Sequence, residues 1–248
     1  MRTLSRALIG LLLPVVASAQ ILAPRPPKWT DKWNFGVGLH GGFPVGEFRE
    51  HENGGAGLDL FLGFQPFRRE PLSIRGNIQF MEYGALKEHG VRQVCDAFGC
   101  WNEEVEFDAR NHQMYMFQIG PEVMAVDGKW RPYAFALAGA TVFNSNEAVG
   151  VDGQTGEIQT ESFFTSSNIS TSYGGGIRRV GTRWGRETGF EISARFTRNE
   201  KAEYLTERNI TRQPDGSWVA VPQRGFANLI GVAVGFWVGP YINWNERR

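Results

Sequence analysis

No run of apolar residues in this 248-residue chain is long enough to cross a membrane as a helix. The longest, Ala7 to Ala17, falls short of the roughly 20 residues that such a span needs. Cysteine is almost missing, with two residues, so no disulfide framework organises the fold. Four histidines leave little material for a metal cluster or a catalytic array. Lys+Arg and Asp+Glu are equal at 26 each, so no global charge points to nucleic acid. What the chain has in excess is 31 Gly, 18 Phe and 8 Trp, a composition that suits strands and membrane interfaces better than helices.

The N-terminus is an export signal by its own chemistry. Arg2 and Arg6 precede the short apolar run, and Ala17-Ser18-Ala19 supplies a small-x-small exit before Gln20. Residues 1–19 are therefore expected to be a cleaved signal peptide. Residues 20–32, with Pro24, Pro26 and Pro27, read as an extended periplasmic lead-in, 33–243 as one β-domain, and 244–248 as a periplasmic tail.

From Trp33 onward, apolar residues alternate with small or polar ones in eight segments, the period of a β-strand. The first places Phe35, Val37 and Leu39 on one face and Gly36, Gly38 and His40 on the other. The second sets Leu58, Leu60 and Leu62 against Asp59, Phe61 and Gly63, and the third sets Ile74 and Ile78 against Arg75, Asn77 and Gln79. The fourth sets Phe117 and Ile119 against Gln118 and Glu122, with Pro121 unable to donate to a ladder. In the fifth, Tyr133, Phe135, Leu137 and Phe143 oppose Ala134, Ala136, Ala138 and Ala140, which by the same logic turns the large residues outward. The sixth, around Tyr173 and Ile177, has the faintest pattern. The seventh sets Phe190 and Ile192 against Glu191 and Arg195, and the eighth sets Val232, Val234 and Phe236 against Ala233 and Gly235.

A face that mixes small residues with Asp59, Arg75, Asn77, Gln79, Glu122, Glu191 and Arg195 cannot meet lipid. An eight-stranded barrel interior, just wide enough to be filled by side chains, accommodates such a set as a network of ion pairs. The connections alternate as well: 65–72, 126–130 and 179–187 are short, whereas 83–110, 144–168 and 199–224 are long. Short periplasmic turns, long external loops and a lipid-facing apolar belt together describe an all-β, eight-stranded, antiparallel, up-and-down transmembrane β-barrel. Trp33, Phe67, Trp130, Trp184 and Trp237 fall at the expected periplasmic ends and read as an aromatic girdle.

The long connections contain hairpin punctuation: Asp152-Gly153, Pro214-Asp215-Gly216, and the Cys95–Cys100 segment. They are expected to protrude as extracellular hairpins. In an exported chain Cys95 and Cys100 are most simply a disulfide that closes one tip; a metal site with His89 and Asp96 lacks a four-ligand set.

The signal peptide, the eight alternating strands and the long external hairpins resemble the small bacterial outer-membrane barrels typified by the OmpA transmembrane domain and OmpX. Phe35-Gly-Val-Gly-Leu-His-Gly-Gly-Phe43 is a generic strand of that kind. Gly231-Val-Ala-Val-Gly-Phe236 is similar to the terminal signal that barrel-assembly machinery reads, although Leu229 replaces a polar residue and the chain continues to Arg248. The resemblance implies residence in the bacterial outer membrane, contact with its lipid and lipopolysaccharide, and assembly by that machinery.

No cofactor, metal or catalytic residue is expected. Lipid-A modification would need a Ser-His-acid set at the outer leaflet. Of His40, His51, His89 and His112, none lies in a His-x-Ser arrangement, and the parity of His112 points inward. A narrow small-solute pore would need the interior charges spaced around water rather than paired. A soluble lipocalin-like barrel is opposed by the charged minority face and the inner-end tryptophans. The expected role is therefore structural or adhesion-like, as a monomer, with an unidentified extracellular partner at the hairpin tips and no nucleic acid. The external connections are acidic overall, which also admits divalent-cation bridges to lipopolysaccharide phosphates.

Overall fold

A computed structural model describes residues 32–66, 71–96, 99–151, 158–206, 210–212 and 218–241. Eight antiparallel strands close into a barrel: β1 (Trp33–Val45), β2 (Gly55–Phe64), β3 (Leu72–Asp96), β4 (Gly99–Met124), β5 (Trp130–Val151), β6 (Ile158–Arg183), β7 (Arg186–Asn199) and β12 (Asn228–Tyr241). Each pairs with its neighbour in sequence, and β1 pairs with β12 from Phe35↔Val238 to Val45↔Asn228, so the barrel itself closes without an open edge. The faint sixth segment is a full strand.

The long connections continue the strands. The β3–β4 ladder extends to Asp96↔Gly99, and the β5–β6 ladder extends to Val151↔Ile158. The last long connection forms two separate two-stranded pieces, β8 (Lys201–Tyr204) with β11 (Gln223–Phe226), and β9 (Ile210–Arg212) with β10 (Trp218–Ala220). The tips at Asp152-Gly153 and Pro214-Asp215-Gly216 lie outside the described residues, as do the expected signal segment 1–19 and both chain termini. Cys95 and Cys100 face one another in the β3–β4 register.

Opposite the long connections, β6 and β7 are joined by Trp184 and Gly185 alone, with φ of +52° and +72°. Two successive left-handed residues form the hairpin turn whose twist matches the strands. The β4–β5 register is interrupted at Gly120 and Pro121, and pairing resumes unshifted at Glu122↔Phe135.

The parity expected for β5 is reversed. Tyr133, Phe135, Leu137 and Phe143 are buried inside the barrel, and Ala136, Ala138 and Ala140 face outward. Cross-strand partners share a face, so Phe135, paired with the inward Glu122, must also turn inward. Space is supplied by glycine: Tyr133 pairs with Gly176, Phe135 with Gly174 and Phe61 with Gly36. A Cβ on Gly36 would lie 2.1 Å from the Phe61 ring, and one on Gly176 would lie 2.8 Å from the Tyr133 hydroxyl. Residue size therefore does not distinguish the lipid face from the interior: Tyr133, Phe135 and Phe61 turn inward beside bare backbone, whereas Phe143 does so between Met114 and Ser166.

Candidate functional site: the barrel interior and its apolar belt

The interior is layered. Towards the short connections, Arg75 and Arg178 share two carboxylates. Arg75 Nη1 donates to Glu122 Oε2 at 2.8 Å, and Arg178 donates to both Glu122 oxygens at 2.9 and 3.0 Å. Arg178 Nε also reaches Glu191 Oε2 at 2.8 Å, and Arg75 Nη2 lies 3.5 Å from Glu191 Oε1. A second group joins Arg195 to Asp59, with Asn77 accepting from Arg195 at 3.2 Å and from Arg75 at 3.2 Å. Lower still, Arg131 forms a fork with Glu187 at 2.7 and 2.8 Å.

Four buried arginines are thus matched by four buried carboxylates. Buried ions need this, because an unpaired one would carry a desolvation cost of several kcal/mol. The rings complete the packing. Arg75 lies 4.0 Å from the centre of Phe61, and Arg178 lies 4.3 Å from Tyr133 and 4.7 Å from Phe61. All seven residues expected in the interior network are buried, but Gln79 makes no side-chain hydrogen bond among the described residues. Arg178, Arg131 and Glu187 were not anticipated. Arg178 is followed by Arg179, and consecutive arginines take opposite faces, so the dipeptide itself required that one enter the barrel.

Towards the long connections the filling becomes apolar, contrary to a uniformly polar interior. Met81, Met114, Met116, Phe143 and Tyr83 pack with Leu229, and Phe48 from the 3-10 turn Gly46–Glu50 and Tyr204 from β8 close over them. Phe48 meets Tyr204 at 5.0 Å and Tyr83 at 5.6 Å in edge-on contacts. Burial, reinforced by Glu47, Glu52 and Glu50, pushes the Tyr204 phenol up to about 12.

His112 points inward, as its parity requires, and its Nδ1 is 2.8 Å from Ser145 Oγ. That partner could not be anticipated, because the two residues come from different strands. Both lie on the long-connection side of Met114 and Phe143, with the His112 ring stacked on Tyr83, and Ser145 is 0% and His112 1% exposed, so neither meets lipid or solvent in this conformation. Among the described residues no group of three His, Cys, Asp or Glu side chains is arranged to hold a metal ion.

The outer wall is the reverse of the interior. Phe35, Val37, Leu39, Leu58, Leu60, Leu62, Ile78, Phe117, Ile119, Ile192, Val234 and Phe236 are all exposed. A continuous apolar belt of this kind is unsustainable in water and is the required surface in a bilayer. The architecture is that of a transmembrane β-barrel. Trp33, Trp130 and Trp184 stand exposed at one rim, where a girdle belongs. Trp237 does not join them: it is 2% exposed, inside the barrel beneath Arg178, because its neighbour Phe236 takes the lipid face. Phe67 lies outside the described residues.

The described residues form a closed eight-stranded antiparallel barrel with an apolar outer face. No family model matches the chain, and no curated protein matches it. Among solved structures it is similar to Neisserial surface protein A, with 8% identity, a TM-score of 0.46, and coverage of 84% of this chain and 97% of that one. It is also similar to Ail, the attachment invasion locus protein of Yersinia pestis, at 11% identity and a TM-score of 0.42, covering 84% and 99%. A major outer membrane protein of Thermus thermophilus follows at 12% identity and 0.39, covering 83% and 98%. Likeness at this level says nothing about function.

Proposed function

We propose that this chain is an integral outer-membrane protein of a Gram-negative bacterium, exported by its signal peptide, in which a filled barrel anchors surface-exposed β-ribbons with an adhesion-like or structural role. The observation that carries the reading is the inversion of polarity across one wall: apolar side chains outside, matched ions and packed rings inside. A filled interior supports a scaffold rather than a conduit. The ribbons, by contrast, extend the strands well past the belt, and their chain length is otherwise unexplained by barrel closure.

Protease added to intact cells tests both parts. Cleavage near Cys95, Gly153 and Asp215 with the short connections protected is the expected pattern. Cleavage at Trp184-Gly185 instead would invert the topology, and release of the chain by alkali without detergent would remove it from the membrane altogether.

A further inference from the structure

At the barrel end with the short connections, the outward surface is basic and aromatic at once. Arg179 pairs with Trp130 in the β5–β6 register, and its guanidinium lies 5.8 Å from the indole centre. Arg183 covers Trp184 at 4.3 Å, and Lys32 stands over Phe64 at 5.9 Å. Lys129 is exposed beside Trp130. None of these four cations is paired with a carboxylate among the described residues, although inside the barrel each arginine is. The acid closest to them in sequence on β7, Glu187, is buried and held by Arg131 through both oxygens.

Stacking on a ring leaves the N–H edges of a guanidinium free, and those edges match the oxygens of a phosphate. Position fits the same ligand. Arg179 and Arg183 share the outward face of β6, four residues apart, which amounts to about 10 Å along the axis of a tilted barrel. That span is on the order of one headgroup layer. Trp184, held outward at a φ of +52° that favours glycine, marks the same boundary. A soluble acidic partner would need the charges but not the indoles.

From this we infer that the rim binds the phosphates of anionic phospholipid headgroups in the periplasm-facing leaflet, with Arg179 and Arg183 as the principal contacts. The inference rests on the membrane topology proposed above. The test reconstitutes the full chain into nanodiscs of equal phosphatidylglycerol and phosphatidylcholine and counts retained lipids by native mass spectrometry. Phosphatidylglycerol should be retained preferentially, by about fivefold for each arginine engaged. The preference should fall to near parity in the Arg179→Gln, Arg183→Gln double variant and survive in Lys201→Gln, a cation of the outer connection. Equal retention of both lipids by the unaltered chain overturns the inference without any variant. So does a preference that persists in the double variant or disappears equally in Lys201→Gln. A chain that fails to insert overturns the topology and the rim together, whereas insertion without preference overturns the rim alone.

Discussion

Arg178 grips Glu122 with both terminal nitrogens, at 2.9 and 3.0 Å, from strands that are not neighbours in the barrel. The pair therefore crosses the lumen and ties β4 to β6 from within, while the ladder ties each strand only to the next. Glu122 also accepts from Arg75, so one carboxylate serves two guanidiniums.

Removing that charge should be costly. Glu122→Gln leaves two buried guanidiniums with Glu191 as the remaining carboxylate of the group, and loss of about 3–5 kcal/mol of unfolding free energy is expected. Urea titration of the folded barrel in lipid vesicles measures it. A loss below about 1 kcal/mol would mean that water reaches the arginines and that the lumen is not closed around them.

The orientation of β5 gives a second prediction. Phe135→Ala removes a ring packed 5.1 Å from Arg75 and 5.4 Å from Arg195 and should cost about 3–5 kcal/mol. Ala136→Leu, on the lipid side, should change stability by no more than about 0.5 kcal/mol. The same urea titration separates the two, and the opposite ranking would restore the outward placement of the large residues.

These two predictions mark what was legible in the chain. Arg75, Glu122 and Glu191 could be placed because a charge on an alternating segment has only one face that avoids lipid. Phe135 and Trp237 could not, since an aromatic is at home on either side of the wall and only the register decides. Trp237 shares its height with the girdle but its parity with the lumen, and height alone was a poor guide. The pairing of rings with Gly174, Gly176 and Gly36 depends on which residues face each other across a ladder, a relation that no single strand contains. The His112–Ser145 contact is of the same kind.

The register that sets Cys95 opposite Cys100 places their backbones within the range a disulfide spans. Closing so short a loop stabilises by only about 2 kcal/mol, so Cys100→Ser should leave the barrel folded. Its effect should appear at the tip: faster proteolysis near residue 95 on intact cells, and a thiol that alkylates without prior reduction. Alkylation of both cysteines in the unreduced native protein would show that no bridge forms.

At the barrel mouth the Tyr204 phenol supplies a pH dependence with a definite sign. Its ionisation is pushed from the ordinary 10 up to about 12 in the folded chain, by burial first and then by Glu47, Glu52 and Glu50. The folded state thus holds a proton that the unfolded state releases between those values. Its contribution is intact below pH 10 and declines as pH rises towards 12. Stability measured by urea titration should fall across that window, and Tyr204→Phe, which keeps the ring against Phe48 and has no proton to lose, should flatten the fall. An unchanged slope in the variant would place the titrating group elsewhere and detach the β8 segment from the energetics of the apolar layer.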